Sequence, residues 1–312
     1  MIDTHCHIDE AAFDADREEV IARQREEGVQ AMIVPGVNVS SIETVLDVCH
    51  RHTGYCFPAL GLHPEDVKTD WQEQLAIVED AIRAHRDELV AIGEIGLDYY
   101  WDKTFKEEQK EVLRRQLVLA RELDLPVILH NREATEDILA IVKEITNNQS
   151  AITNHQSPGA SFRRNGGRPC PLRLERLTNN QSPITNNPSP VTPNPLRGVF
   201  HCYSGSKETA QIILNMGFYL GIGGVLTFKN SKLADTLTEL NQSPMTNHQS
   251  PIINRLLLET DAPYMAPVPH RGERNESRFM THVAERLAQT LGTTPSDIIA
   301  TTSSNARRLF GI

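Results

Sequence analysis

Hydrophobic positions along the chain fall into eight short runs, each rich in β-branched or other apolar residues. Between these runs lie longer stretches in which apolar residues recur three or four positions apart, the period of an amphipathic helix. Three such stretches are ADREEVIARQREEG at 15–28, SSIETVLDVCHRH at 40–52 and FKEEQKEVLRRQLVLARELDL at 105–125. The eight apolar runs are predicted strands at 1–7, 30–37, 56–63, 89–98, 125–132, 197–205, 218–226 and 255–263.

Regular alternation of eight strands with helices predicts a parallel sheet closed into a (β/α)8 TIM barrel. A doubly wound open sheet is the structural alternative. It is disfavoured because no Gly-rich phosphate-binding fingerprint follows the first strand. We therefore expect a single barrel domain that spans residues 1–312.

Two segments interrupt this pattern, at about 146–197 and 241–254, and both are rich in Asn, Gln, Ser, Thr and Pro. They contain repeats of the type TNNQS, TNHQS and TNNPS, which recur every seven residues within a block. A coiled coil would need two apolar positions per repeat, whereas these repeats lack them and contain Pro. Such a composition cannot bury enough apolar surface, so we expect disordered insertions. Both would join a helix to a strand, on the barrel face opposite the active site.

Charge and cysteine content narrow the classes of function. A formal net charge of −10 gives no general attraction for polyanions, so any nucleic-acid binding must come from a local site. Five cysteines without CxxC spacing suit reduced thiols in a cytoplasmic protein. Because the first predicted strand begins at Met1, we expect no signal peptide, and no apolar run reaches membrane-spanning length. We expect a cytoplasmic protein with no membrane contact, and take a monomer as the default.

Imidazole and carboxylate side chains interrupt six of the eight predicted strands close to their C-terminal ends. His5 and His7 are separated by one residue, so a strand places both rings on one face. Glu94 and Asp98 are four residues apart, so a strand places these two side chains on one face as well. A buried polar group needs a partner, and a metal ion is one partner that many groups can share. The complete set is His5, His7, His63, Glu94, Asp98, His130, Arg132, His201, Glu259 and Asp261.

Each of these residues has a structural alternative when it is taken alone. His63 or His201 could be a hydrogen-bonded core histidine, Glu94 could pair with a nearby arginine, and Asp261 could cap the turn before Pro263. Ligand-type residues at six separate strand ends favour a metal site instead. Imidazoles and carboxylates without thiolate suit Zn²⁺, Mn²⁺ or Mg²⁺. The number of ligands predicts two ions, and Glu94 is the expected bridge between them.

Six ordered motifs resemble those of the TatD family of metal-dependent deoxyribonucleases: THCHID, GLHPE, IGEIGLDYYW, LPVILHNREA, VFHCYSGS and LLLETDAPYMAPVPHRGERNES. The resemblance spans the chain except for the two insertions. It implies a TIM barrel of the amidohydrolase-like kind and a hydrolase that acts on DNA, often from the 3′ end. It also implies two divalent cations per chain. One would be held by His5, His7, Glu94 and Asp261, and the other by Glu94, His130 and His201.

The expected reaction is hydrolysis of DNA phosphodiester bonds, with single-stranded DNA as the expected substrate. Asp261 would act as the base that deprotonates the attacking water, and Glu94 would be essential as the shared ligand. His63, Asp98 and Arg132 would support the ligands or contact phosphate, and Arg271 would hold substrate phosphates. A salt bridge to a helix carboxylate is the alternative for Arg132, and an ordinary solvated loop is the alternative for Arg271 and its neighbour Arg274.

Two other functions remain open at the level of sequence. The same metal site could hydrolyse another ester or amide, for example in a D-aminoacyl-tRNA deacylase. The chain could also be a non-catalytic nucleic-acid-binding protein, whose signature would be a missing ligand. No ligand of the resemblance is missing.

Overall fold

The computed structural model describes residues 1–147, 194–242 and 251–312, and in these residues eight parallel strands form one sheet in sequential order. The first and last strands approach each other, because the amide of Thr4 donates to the carbonyl of Leu258 at 3.1 Å and Cys6 forms a bridge to Ala262. The predicted (β/α)8 barrel is therefore confirmed. The strands are β1 Ile2–Asp3, β2 Ala31–Pro35, β3 Cys56–Leu60, β4 Ala91–Asp98, β5 Val127–Arg132, β6 Gly198–Phe200, β7 Tyr219–Ile222 and β8 Leu256–Leu258.

Helices follow the strands and cover the outside of the barrel. The periodic stretches at 15–28, 40–52 and 105–125 form α1, α2 and α4, each a few residues shorter than predicted. In α2 the apolar residues Val45, Val48 and Cys49 are buried, as a stripe with helical spacing requires. The helices are α1 Arg17–Glu26, α2 Ser41–Arg51, α3 Trp71–Ala84, α4 Lys106–Glu122, α5 Thr135–Asn147, α6 Lys207–Asn215, α7 Leu233–Gln242, α8 Met280–Leu291 and α9 Pro295–Phe310.

The barrel interior is closed at its N-terminal end by an apolar cluster. This cluster takes at least one residue from every strand, and Leu309 and Phe310 of α9 pack against it. The larger core lies between the sheet and the surrounding helices. Candidate metal-ligating side chains gather at the opposite end, where the strands terminate. In the described part of the chain, no helix is both long and apolar enough to cross a lipid bilayer.

Three predicted strands are much shorter in the structure than in the sequence pattern. The runs at 1–7, 197–205 and 255–263 contribute only two or three residues each to the sheet. Beyond β6 and β8 the backbone turns, since Cys202 and Asp261 both adopt left-handed φ angles of 47° and 58°. An L-residue rarely adopts this conformation inside a strand. His201 and Asp261 therefore lie in loops that curve over the mouth of the barrel.

Both predicted insertions join a helix to a strand, the first between α5 and β6 and the second between α7 and β8. Most of each insertion, together with His155, Cys170 and His248, lies outside the described residues. The predicted edges at 146 and 241 fall within the last turns of α5 and α7. The Arg121 guanidinium donates to the carbonyls of Ile145 and Asn194, at 2.6 Å and 3.2 Å. The two flanks of the first insertion are therefore close together.

Candidate metal centre at the mouth of the barrel

A cluster of imidazole and carboxylate groups occupies the C-terminal mouth of the barrel. Its members come from the ends of six different strands, so the closure of the barrel is what brings them together. All are buried or nearly so, and the side chain of Asp261 keeps the largest exposed fraction, 19%. The cluster consists of His5 and His7 after β1, His63 after β3, Glu94 in β4, His130 in β5, His201 after β6 and Asp261 after β8.

The first half of the cluster is built on His5 and His7. Their Nε2 atoms lie 3.0 Å apart, as expected for two rings on one side of the chain. Oδ1 of Asp261 lies 3.6 Å and 3.7 Å from these two nitrogens. Oε2 of Glu94 lies 3.1 Å from His5 and 3.6 Å from His7. Cys6, between the two histidines, turns away into the apolar core.

The second half of the cluster surrounds the other oxygen of Glu94. Oε1 lies 2.7 Å from Nε2 of His201, 2.9 Å from Nδ1 of His130 and 3.3 Å from Nε2 of His63. The facing nitrogens of His130 and His201 are 3.3 Å apart. In the described residues, the ion-pair partners of Glu94 are thus histidines, and the alternative of an arginine partner is wrong.

These distances fit a donor set for divalent cations. Two nitrogen or oxygen ligands at about 2.0–2.1 Å from one zinc ion can be at most about 4.2 Å apart. The donor separations within each half of the cluster, 2.7 to 3.7 Å, all lie below this limit. Because its two oxygens face different groups of imidazoles, Glu94 has the geometry of a bridging ligand. Candidate metal-ligand groups are therefore present at the mouth of the barrel.

Local backbone features of β4 aim Glu94 into the mouth. The register between β4 and β5 shifts between Ile92 and Ile95, and such a bulge redirects the side chains beside it. Gly96 has a φ of +153°, and a Cβ atom placed there would lie 2.0 Å from the carbonyl oxygen of His130. Only glycine permits this close approach of the two strands.

The charges of the cluster are strongly coupled. Burial opposes ionisation of Glu94, but the His201, His63 and His5 imidazoles outweigh it and hold the pKa of this carboxyl well below its usual range. Burial and the neighbouring His201 lower the pKa of His5 to about 3, which leaves its ring neutral. Burial also opposes protonation of His130, yet hydrogen bonds to Asp98 and Glu94 raise its pKa to about 10. Cation binding to such a cluster must release protons.

Asp98 and Glu259 lie just outside the converging donor atoms. Oδ2 of Asp98 is 2.9 Å from Nε2 of His130, and its Oδ1 accepts the amide of Tyr100 at 2.8 Å. Glu259 is completely buried and accepts the amide of Cys202. Asp98 therefore orients a histidine of the cluster. The carboxylate of Glu259 faces the loop after β6, and it belongs to none of the candidate ligand groups of the described chain.

A pocket with a volume of about 650 Å³ opens above the cluster. Its lining includes Arg132, whose guanidinium lies 3.8 Å from the ring centroid of Tyr100. Among the described residues, no ion pair joins Arg132 to a carboxylate, which counts against the alternative of a salt bridge there. Arg271 instead stacks on Phe228 at 3.7 Å and is not part of the lining.

Arg274, the neighbour of Arg271 in the loop after β8, is also directed away from the pocket. Its guanidinium forms two hydrogen bonds to the carboxylate of Asp16, at 2.7 Å and 2.6 Å. This ion pair joins the loop to the start of α1, a structural role that differs both from a phosphate contact and from the ordinary solvated loop.

The pocket also contains residues that the sequence pattern did not select. Trp101 and Tyr264 line it, as does Glu65, which forms a further candidate ligand group with Asp98 and His130. The aromatic residues carried a signal, because YYW directly follows the last polar residue of a strand. Glu65 belongs to the GLHPE motif, but its residue type alone gives little signal, since an exposed glutamate is common.

Comparison with known proteins shows similarity over nearly the whole chain. The family model described as TatD related DNase matches residues 2–163 and 183–311. The chain is 35% identical over 312 residues to the uncharacterized metal-dependent hydrolase YabD of Bacillus subtilis, with 100% of this chain and 99% of that protein covered. It is 30% identical over 318 residues to the 3′-5′ ssDNA/RNA exonuclease TatD of Erwinia tasmaniensis, with 100% of both covered. The crystal structure of YjjV, a TatD homologue from Escherichia coli, superposes with a TM-score of 0.75 at 26% identity, covering 100% and 98% of the two chains.

Proposed function

The chain belongs to the TatD-related DNase family of metal-dependent hydrolases, and we propose that it hydrolyses phosphodiester bonds of single-stranded DNA from the 3′ end. One observation carries the proposal. The two oxygens of Glu94 face two separate groups of imidazoles, and paired divalent cations with a shared carboxylate are the arrangement used for in-line displacement at phosphorus. The Erwinia tasmaniensis relative is named a 3′-5′ ssDNA/RNA exonuclease, which supports the nucleic-acid substrate and the polarity.

The donor distances support two cation positions. His5, His7 and Asp261, with one oxygen of Glu94, would hold the first ion. His130 and His201, with the other oxygen of Glu94, would hold the second, and His63 is close enough to assist. Zn²⁺, Mn²⁺ and Mg²⁺ all accept such ligands. When bound, divalent cations lower the pKa of water and neutralise charge on phosphoryl oxygens.

Asp261 is the carboxylate that we assign as the base. It is the more open of the two cluster carboxylates, with 19% of its side chain exposed against 4% for Glu94. A water between the cluster and the pocket can therefore reach Asp261 more readily. A general base must lie within hydrogen-bond reach of the proton that it accepts.

The chain's own groups would also position the substrate. Arg132 lines the pocket without a carboxylate partner in the described part of the chain, and it could donate two parallel hydrogen bonds to a phosphate. Asp98 would hold the His130 ring in its orientation, and His63 would approach the phosphate from the β3 side. Arg271 is a weaker candidate for a substrate contact, since it stacks on Phe228.

The test is digestion of end-labelled oligonucleotides by the purified chain with Mg²⁺, Mn²⁺ or Zn²⁺ supplied. We expect stepwise shortening of single-stranded DNA from its 3′ end, and loss of this activity in Glu94→Ala. A D-aminoacyl-tRNA is assayed in parallel. Deacylation of the tRNA without shortening of DNA would replace the nuclease proposal with that of another ester hydrolase. Undiminished nuclease activity in Glu94→Ala would refute the site assignment.

A further inference from the structure

Two large aromatic side chains stand at the edge of the pocket, on the segment that follows β4. Tyr100 is 48% exposed and Trp101 is 65% exposed, and their rings meet edge to face at 4.7 Å. Trp101 lines the pocket, so part of its exposed surface faces the space above the metal cluster. Neighbouring exposed aromatics of this size commonly mark a binding surface.

Arg132 adds a cation to the same edge. Its guanidinium lies 3.8 Å from the centroid of Tyr100 and 5.2 Å from that of Trp101. Among the described residues that line the pocket, Arg132 is the only lysine or arginine, while Glu10, Glu65 and Asp66 make other parts of the wall acidic. The charge of the wall therefore favours the Arg132 side as the path for a polyanionic chain that enters the pocket.

We propose that Trp101, Tyr100 and Arg132 form a stacking platform for an unpaired nucleobase beside the scissile phosphate. The inference rests on the proposed function, because it takes nucleic acid as the substrate. Arg132 would contact the phosphate, and the exposed indole of Trp101 would accept the face of the base. Stacking on aromatic side chains tolerates any base, because every base has a π face.

The platform would favour binding of unpaired ends of nucleic acid. In a duplex each base is stacked on its neighbours and paired, and its extraction costs free energy. A single strand can present a free base face to Trp101 without that cost. The aromatic platform thus selects substrate by strandedness, whereas the metal cluster acts on the phosphate.

Binding is tested first, by tryptophan fluorescence. The chain has only two tryptophans, Trp71 and Trp101, so Trp71→Phe leaves Trp101 as the single tryptophan reporter. The metal-loaded variant is titrated with a phosphorothioate-linked oligothymidylate of about ten nucleotides, within the range of known site sizes. A matched oligomer with abasic sugars is the control. We expect quenching by the oligothymidylate and little by the abasic oligomer. Equal quenching by the two oligomers, or no quenching by either, would contradict the proposed platform.

Kinetics provide the second test, with cleavable versions of the two oligomers. In the wild type, removal of the bases should raise KM by on the order of tenfold, in line with stacking energies per base. In Trp101→Ala the KM for the abasic oligomer divided by the KM for the oligothymidylate should fall towards one. Trp101→Phe should retain most of this ratio. Trp71→Phe, altered in α3, should retain the full ratio. An unchanged ratio in Trp101→Ala would contradict the inference.

The two proposals fail in different ways. If the chain is not a nuclease, the wild type cleaves neither oligomer, yet the fluorescence titration still reports whether a base stacks on Trp101. If the platform is wrong, the wild type cleaves the oligothymidylate and Trp101→Ala cleaves it with the same KM. Thermal melting of each variant shows that the fold is retained, as expected for a side chain that is 65% exposed.

Discussion

Nε2 of His130 lies 2.9 Å from Oδ2 of Asp98, while Nδ1 of the same ring faces Oε1 of Glu94 at 2.9 Å. A hydrogen bond from one ring nitrogen to a carboxylate fixes the tautomer and leaves the other nitrogen for a cation. The 1% exposure of Asp98 protects this hydrogen bond from competing water. Asp98 therefore acts through His130, as a positioning residue.

Asp98→Asn should weaken cation binding without unfolding the barrel. Loss of the carboxylate behind a ligating histidine typically costs about 10–100-fold in metal affinity. We expect that range in isothermal titration with Zn²⁺ or Mn²⁺, for the ion held by His130. Asp235→Asn, an exposed change in the first turn of α7, is the matched control and should leave affinity unaltered. Equal affinities for Asp98→Asn and the wild type would remove Asp98 from the site.

Removal of metal should lower the melting temperature of the wild type. A ligand that binds only the folded state stabilises it by about 4 kcal/mol at a free concentration a thousand times its Kd. Chelation also leaves the imidazoles of the cluster crowded around Glu94 without a cation to share. We expect a drop of several degrees with EDTA, reversed by added Zn²⁺ or Mn²⁺, as measured by calorimetry.

Glu94→Gln is the companion variant for the chelation experiment. It keeps the shape of the side chain but removes the charge that both halves of the cluster share. Its melting temperature should respond little to EDTA or to added metal. A full EDTA response in Glu94→Gln would show that the cations bind elsewhere.

Gly96→Ala should destabilise the barrel strongly. A Cβ at this position would lie 2.0 Å from the His130 carbonyl oxygen, and β4 and β5 would have to separate. We expect a loss of about 3 kcal/mol or more in the free energy of unfolding, by urea denaturation. Gly28→Ala, at a φ of +88° with no atom near the added Cβ, should cost only about 1–2 kcal/mol from the backbone. Similar losses of unfolding free energy in Gly96→Ala and Gly28→Ala would mean that the close approach of β4 and β5 contributes little to stability.

Residues 151–190 should be replaceable by a linker of about six residues with little effect on the barrel. The Arg121 guanidinium donates to the carbonyls of both Ile145 and Asn194, so a short connection can join α5 to β6. Halving a loop changes its closure cost by only about 0.6 kcal/mol. Metal content and melting temperature are the measurements, with a scrambled segment of equal length as the control. Loss of bound metal on deletion would make this segment part of the site.

The sequence alone determined the barrel and the chemical character of its mouth. Strand and helix periodicities are local properties, so eight alternating elements could be identified without knowledge of their packing. The spacing of His5 and His7 likewise predicted two rings on one side, and the structure places their Nε2 atoms 3.0 Å apart. The motif order also predicted the family to which the chain belongs.

Tertiary structure decided how those groups are distributed. The assignment of each oxygen of Glu94 to a different set of imidazoles depends on barrel closure and on the bulge beside Ile95, which no local pattern encodes. The stacking of Arg132 on Tyr100, in place of a salt bridge, depends on how the end of β5 meets the segment that follows β4. Contacts between residues far apart in sequence arise only when the strands are in register, and that register is set by the packing of the whole barrel.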